Sequence, residues 1–128
     1  MRILLDTHVF LWYALTDPRL TPAARAHIED PANEVWVSPA SWWEIAIKMS
    51  RHNYSLTVPH DVFFETAIAD NGFRVLPIEP RHTAVVSALP FHHNDPFDRL
   101  MLAQAIAEQI PIVSADADFD KYPIQRLW

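Results

Sequence analysis

The stretch Arg2-Ile3-Leu4-Leu5-Asp6 decides the fold, because it is a short apolar run that ends in an acidic residue. A continuously apolar run of this length is typical of a strand buried on both faces, as in parallel sheets covered by helices. The same design returns near the end of the chain, where Asp116 follows Ile112-Val113-Ser114-Ala115. Carboxylates this close to a hydrophobic core are costly unless they are paired or bind a metal ion.

Working outward from this stretch, short apolar runs alternate with helical patterns. Further strands are predicted at 34–38, 73–78, 112–114 and 124–128. Helices are predicted at 7–15, 21–29, 40–51, 60–71, 80–89 and 96–108, the last with Leu100, Ala103 and Ile106-Ala107 facing inward. This alternation predicts a single α/β domain over residues 1–128, with three layers, α/β/α, around a central parallel sheet of four to five strands.

The composition is that of an ordinary globular protein, with 128 residues of which 50% are hydrophobic and 20% charged. The net charge of −6 argues against passive binding to nucleic acid, but not against an enzyme that meets nucleic acid through a bound metal ion. Cysteine is absent and Gly72 is the single glycine, which excludes disulfides, thiolate zinc sites and glycine-rich phosphate loops.

The location predicted from the sequence is the cytoplasm. No apolar stretch approaches the ~20 residues that a membrane helix needs. The N-terminus carries a charge too early for a signal peptide. We therefore expect no membrane association.

Four acidic residues form the candidate site. Asp6 and Asp116 follow predicted strands directly, Asp98 opens a helix, and Glu44 falls early in another helix. In parallel sheets, function gathers at the carboxyl ends of the strands, so we expect all four side chains to meet at one rim. A cluster of carboxylates without matching lysines and arginines predicts a site for a divalent cation.

Each of these acids also has a structural explanation. Asp6 and Asp116 are suitable N-caps for the segments that follow them. Asp95-Pro96-Phe97-Asp98 has the pattern of a cap, a proline at the first helical position and an acidic first turn, and we assign Asp95 to the cap. Glu44 can pair with Lys48 one turn later, which contributes only about 0.3 kcal/mol.

Four strings of sequence resemble the successive motifs of PIN-domain proteins, and most closely the VapC-type toxins of bacterial toxin–antitoxin pairs. In order, they are Ile3-Leu4-Leu5-Asp6-Thr7-His8, Ser41-Trp42-Trp43-Glu44-Ile45-Ala46-Ile47-Lys48, Asp95-Pro96-Phe97-Asp98-Arg99-Leu100 and Ile112-Val113-Ser114-Ala115-Asp116. The second and third strings are the most specific. The chain departs from this subgroup after Lys48, where Arg51-His52-Asn53-Tyr54 replaces a turn that often contains glycine.

The resemblance implies a PIN-like fold and a Mg²⁺- or Mn²⁺-dependent endoribonuclease. It also implies an RNA substrate, a cognate antitoxin and a homodimer. The catalytic and metal-binding residues carried over are Asp6, Glu44, Asp98 and Asp116, with Glu44 holding a water or a second ion. The candidates for contact with substrate are Thr7, Ser114, Lys48 and Arg99.

Two other functions remain open at this stage. One is a metal-dependent phosphatase, whose aspartyl motif requires a second aspartate two residues after the first; His8 occupies that position and counts against it. The other is a non-catalytic binding module whose acids are helix caps. The pair His92-His93 is predicted to be an ordinary surface feature, since no zinc-ligand spacing is present. Exposed members of the tryptophan set would mark a protein interface, the set being Trp12, Trp42, Trp43 and Trp128.

Overall fold

A computed structural model of residues 1–128 shows a five-stranded sheet flanked by helices. The strands are β1 (Arg2–Leu5), β2 (Glu34–Val37), β3 (Arg74–Val75), β4 (Ile112–Val113) and β5 (Arg126–Leu127). The helices are α1 (Thr7–Ala14), α2 (Pro22–Glu29), α3 (Pro39–Ser50), α4 (His60–Asn71), α5 (Pro80–Ala88) and α6 (Pro96–Glu108), with a short 3-10 helix at Ala117–Lys121. All strand pairs are parallel, which confirms the predicted α/β class.

The central strand β1 is buried on both faces of the sheet. Ile3 and Leu5 point into a core formed with α1, α2 and α4, whereas Leu4 points into a second core formed largely by α6. This alternation follows from the period of two residues in a strand. It explains why the N-terminal run is apolar without interruption and confirms the three-layer arrangement.

The order of the strands creates a crevice beside β1. The order across the sheet is β3-β2-β1-β4-β5, so the chain builds outward from β1 to β3 and then returns to place β4 on the other side of β1. Ligands of open α/β sheets bind at such a reversal, outside the carboxyl ends of the strands. Asp6 follows β1 and Ser114 follows β4, which places both residues at this reversal.

Helix ends follow the local signals in the sequence. The hydroxyl of Thr21 accepts a hydrogen bond from the Ala24 amide at 3.0 Å and begins α2. The carboxylate of Asp95 accepts from the amides of Phe97 and Asp98, at 2.8 and 3.0 Å, and begins α6 as predicted. Gly72 ends α4 with φ of 64°, a left-handed conformation that glycine adopts without a steric penalty.

Two expectations from the sequence were partly wrong. The strand predicted at 73–78 is limited to β3, because Pro77 has no amide to donate to a ladder and Gln104 instead binds the Leu76 carbonyl at 3.2 Å. The buried face of α6 is the run 101–105, whereas Leu100 and Ile106 are only half-buried, because α6 packs against α5 and α3 as well as the sheet.

No helix has both the length and the apolar character required to span a membrane.

Candidate active site

Asp6 lies at the carboxyl end of β1 and is 5% exposed. Its side chain caps α1 by accepting from the His8 amide at 3.4 Å, and its Oδ2 accepts from the hydroxyl of Ser114 at 2.7 Å. Burial raises the pKa of Asp6, the Ser114 hydrogen bond lowers it in part, and the negative charge of Glu44 raises it further. The cap and the rim position predicted for Asp6 therefore coexist in one side chain.

Asp98 occupies the first turn of α6 and carries a strongly perturbed carboxyl. Burial raises its pKa to about 8, with further contributions from the negative charges of Asp6, Asp95, Glu44 and Asp116. Burial and neighbouring negative charges thus both disfavour the ionised form of Asp98. A strongly perturbed acid in a cleft is a recognised sign of a functional site.

Glu44 lies in α3 and is 3% exposed. Its Oε2 accepts from Lys48 Nζ at 2.9 Å, which is the predicted pair one helical turn apart. Its Oε1 is buried and has no hydrogen-bond partner. Partial burial lowers the pKa of Lys48, but the hydrogen bond and charge of Glu44, with Asp95 and Asp98, raise it overall.

Asp116 follows β4 and begins the 3-10 helix. Its Oδ1 accepts from the Asp118 amide at 2.9 Å, which confirms the predicted capping role. Its Oδ2 lies 2.8 Å from Nε2 of His93. The Asp116 amide donates to Oγ of Ser114 at 3.1 Å, so Ser114 connects the segments that follow β1 and β4.

A cavity of about 390 Å³ opens at this rim. Its lining residues are Asp6, His8, Trp12, Arg19, Asp98, Ala115 and Asp116. Three of the four predicted acids therefore face one space, and Glu44 is close enough for its charge to raise the pKa of both Asp6 and Asp98. Arg19 pairs with Asp17 at 2.8 Å, and its guanidinium lies over the Trp12 ring at 5.0 Å.

The two hydroxyls proposed for substrate contact are inside the protein. The hydroxyl of Thr7 donates to Oγ of Ser41 at 3.1 Å, and that of Ser114 donates to Asp6. Both residues are at most 1% exposed. In this structure they position the acids and their supporting helices.

The structure does not bring Arg99 to the rim. Its guanidinium is buried and donates to four backbone carbonyls, those of Val86, Leu89, Pro90 and His93. Arg99 therefore stabilises the connection between α5 and α6. The contact with phosphate that was predicted for Arg99 is not supported. Lys48 is the remaining cation of that set, and its side chain is 39% exposed.

His93 was missed in the sequence, where it was read as part of a surface pair. His92 is exposed, but the side chain of His93 is only 9% exposed and packs against Phe119 and Tyr122. The available signal was its position two residues before Asp95, next to an acidic motif. Its partner Asp116 is distant in sequence, so the contact itself was not visible.

The residues at this rim fit a small divalent cation. Ligand atoms from His93, Asp98 and Asp116 all lie within 4.8 Å of one another. Oε1 of Glu44 lacks a hydrogen-bond partner, and burial together with neighbouring carboxylates raises the pKa of Asp98, so a bound cation would stabilise both groups. Oxygen ligands of this kind suit Mg²⁺ and Mn²⁺.

A parallel sheet of this order, with acids gathered beyond β1 and β4, has the architecture of the PIN class of α/β domains. The profile of the PIN domain family matches residues 3–125, and the chain belongs to that family. The resemblance drawn from the four motifs is thereby confirmed.

Among its relatives, the chain is 34% identical over 115 residues to Ribonuclease VapC22 of Mycobacterium tuberculosis, covering 89% of this chain and 86% of that protein. Its fold is similar to that of VapBC2 from Rickettsia felis bound to a promoter DNA fragment, with a TM-score of 0.74 and 14% identity over the whole of both chains. FitAcB from Neisseria gonorrhoeae matches with a TM-score of 0.66 and 17% identity, over 97% of this chain and 95% of that one.

Proposed function

We propose that this chain is a divalent-metal-dependent endoribonuclease and the toxin of a toxin–antitoxin pair, acting in the cytoplasm as the single domain 1–128. The observation that carries the proposal is the convergence of Asp6, Asp98 and Asp116 on one cavity, where burial and neighbouring carboxylates raise the pKa of Asp98 to about 8. The similarity to a protein named as a ribonuclease supports the same reaction.

The acids Asp6, Asp98 and Asp116 would hold Mg²⁺ or Mn²⁺, with Glu44 behind them. When bound, the cation supplies an activated water nucleophile and neutralises charge on the scissile phosphate. The chain positions these groups: Ser114 fixes the Asp6 carboxylate at 2.7 Å, and the 3-10 helix fixes Asp116. Two caps and one buried hydroxyl thus hold the acids in place before substrate arrives.

The walls of the cavity away from the acids suit single-stranded RNA. His8, Trp12 and Arg19 line the same space, with the His8 and Trp12 rings 5.9 Å apart. Aromatic rings and guanidinium planes stack on unpaired bases, and cations contact the backbone. Arg19 and the partly exposed Lys48 are the side chains that would meet phosphates beside an otherwise acidic rim.

We also propose a protein partner, an antitoxin, and a homodimer. The solved relatives VapBC2 and FitAcB have the same fold, and VapC22 belongs to the same family. In this chain the ring of Trp43 is 57% exposed and meets Phe97 edge-on at 5.1 Å, next to the acidic α6 start. A large exposed aromatic side chain such as that of Trp43 is typical of protein interfaces.

The test is cleavage of a defined RNA by the purified chain in Mg²⁺ or Mn²⁺, compared with the Asp6→Asn variant. We expect a loss of at least ~100-fold, because one metal-binding charge is removed while asparagine retains the helix cap. Asp118→Asn is the matched control, since it is an exposed acid paired with Lys121 beside the same rim.

Equal cleavage by wild type and Asp6→Asn would contradict the assignment of the site. Release of phosphate from small phosphoesters without any cleavage of RNA would instead favour the phosphatase. Absence of both activities, together with no heat of binding for Mg²⁺ or Mn²⁺, would favour the non-catalytic module.

A further inference from the structure

The short connection between α5 and α6 brings a nitrogen ligand to the acidic rim. His93 Nε2 lies 2.8 Å from Oδ2 of Asp116, and its Nδ1 lies 3.2 Å from the hydroxyl of Tyr122. The ring therefore has one nitrogen engaged inside the protein and the other directed at the acids. A cation bound between His93 and Asp116 would replace this contact at Nε2, while Nδ1 stays held by Tyr122, as is usual for the second nitrogen of a metal-binding histidine.

The spacing of the ligand atoms suits one ion. Atoms of His93, Asp98 and Asp116 fall within 4.8 Å of one another. In an octahedral shell with bonds near 2.1 Å, neighbouring ligands are about 3 Å apart and opposite ligands about 4.2 Å apart. The three groups come from three different segments, and their ligand atoms lie near enough to one another for a single cation.

His93 is held in place by contacts that extend well beyond its own ring. Its carbonyl accepts from Arg99 Nη1 at 3.3 Å, and the same nitrogen donates to the Pro90 carbonyl at 2.9 Å. The ring packs edge-on against Phe119 at 4.9 Å. The buried guanidinium of Arg99 thus fixes the backbone that presents the imidazole, and a surface histidine would need none of these contacts.

A second observation points to a ligand at this rim. Glu44 is 3% exposed, yet its Oε1 has no hydrogen-bond partner in the protein. A buried carboxylate oxygen without a donor is costly unless an ion or water completes it. The charge of Glu44 raises the pKa of both Asp6 and Asp98, so this oxygen without a partner belongs to a carboxylate close to the rim.

We propose that His93 is a direct nitrogen ligand of the divalent cation, so that the centre prefers Mn²⁺ and later first-row ions to Mg²⁺. This rests on the metal site of the proposed function and adds to it a residue and a selectivity. Imidazole binds first-row transition ions well, whereas Mg²⁺ strongly prefers oxygen, so replacing one oxygen ligand by nitrogen shifts the balance between them. The other role open to His93, a hydrogen bond that orients Asp116, gives no such selectivity.

The deciding experiment is electron spin echo envelope modulation on the wild-type chain loaded with Mn²⁺. A coordinated imidazole gives a nitrogen-14 modulation, which a histidine that only orients a carboxylate does not give. We expect this modulation in wild type, its loss in His93→Gln and its retention in His92→Gln. His92→Gln is the matched control, because it is the same substitution at the exposed neighbour.

Calorimetry gives the second readout. In His93→Gln we expect Mn²⁺ affinity to fall by about 10- to 100-fold, while Mg²⁺ affinity changes far less. Equal losses for both ions, or Mn²⁺ bound in wild type without nitrogen modulation, would overturn the inference. If that result came with metal-dependent RNA cleavage, the proposed function would stand; if Mn²⁺ did not bind and RNA was not cleaved, both would fall.

Discussion

The two ends of helix α6 carry buried carboxyls with opposite surroundings. Burial and, after it, the nearby acids raise the pKa of Asp98, in the first turn, to about 8. Glu108, the last residue of α6, is bound by Arg2 and His82, each at 3.2 Å, and by Arg81. Although burial raises the pKa of Glu108, hydrogen bonds from these three partners bring it below its ordinary value.

The helix dipole alone would produce the reverse pattern. A carboxylate is favoured in the first turn of a helix and disfavoured in the last, by about 0.3–1 kcal/mol. The surroundings therefore outweigh the dipole in both cases: burial and nearby acids raise the pKa of Asp98, whereas hydrogen bonds from Arg2, Arg81 and His82 lower that of Glu108. The comparison shows that partners within the protein stabilise the ionised form of Glu108, whereas the ionised form of Asp98 is costly until a cation binds beside it.

The largest expected effect comes from removing the two charges one at a time. Asp98→Asn should reduce RNA cleavage by at least ~100-fold and raise the melting temperature of the metal-free chain, because it removes repulsion among the acids. Glu108→Gln should retain cleavage but lower the free energy of unfolding by about 2 kcal/mol, because Arg2 and Arg81 lose their charged partner. Cleavage assays and thermal unfolding on the same preparations measure both effects.

A metal-free Asp98→Asn variant that melts below wild type would contradict this account of Asp98. Loss of cleavage in a well-folded Glu108→Gln variant would remove the distinction between the two ends of α6.

Changing pH should separate the same two carboxyls. The folded pKa of Asp98 is raised from 3.8 to about 8, so its contribution to stability is present below about pH 4 and is lost as pH rises to about 8. The folded pKa of Glu108 is lowered, so its contribution is present above its unfolded pKa, near 4.5, and is lost as pH falls through the lower folded value. Urea unfolding of the metal-free chain between pH 4 and 8 measures the first contribution, and Asp98→Asn should flatten that slope.

Metal binding should depend on the protonation state of the Asp98 carboxyl. Since a cation must displace the proton from Asp98, Mn²⁺ affinity should rise by up to about tenfold per pH unit until pH reaches about 8. An affinity independent of pH between 6 and 8 would show that Asp98 is not a ligand.

Arg99→Lys should have an intermediate effect on the rim while leaving the Glu108 end of α6 unchanged. Lysine keeps the charge but cannot donate hydrogen bonds to all four carbonyls that the guanidinium contacts. We expect a loss of about 2 kcal/mol in the free energy of unfolding and weaker metal binding. Amide hydrogen exchange should show faster opening of the segment between α5 and α6 in the variant, and unchanged exchange there would contradict this role.

The smallest expected effect is that of Arg19→Ala on stability. The pair with Asp17 is exposed, so the free energy of unfolding should be almost unchanged. If Arg19 contacts substrate phosphate, KM for RNA should rise and become less sensitive to salt, with kcat little changed. Arg25→Ala is the matched control, since this arginine pairs with Glu29 on α2 and does not line the cavity.

The parts of the site visible from the sequence are those determined by neighbours along the chain. Asp6 and Asp116 could be found because each directly follows a buried strand, and parallel strands deliver such residues to one rim. Capping by Asp95 and pairing of Glu44 with Lys48 are equally local, and the structure confirms both.

The parts that escaped prediction depend on contacts between distant segments. Arg99 was predicted to contact the substrate. Nothing in its own helix shows that four carbonyls, from the end of α5 and the connection that follows it, turn toward its guanidinium. His93 was read as a surface residue because its partner Asp116 follows a different strand. The short β3 depends on Pro77 together with Gln104 from α6, a combination that no local pattern contains.

The double use of Asp6 and Asp116 as caps and as acids has a genetic consequence. A single G-to-A transition converts either aspartate codon into an asparagine codon, and asparagine caps a helix as well as aspartate does. Under the proposed function, one nucleotide change at either codon therefore yields a chain that keeps the helix cap but lacks one of the metal-binding charges.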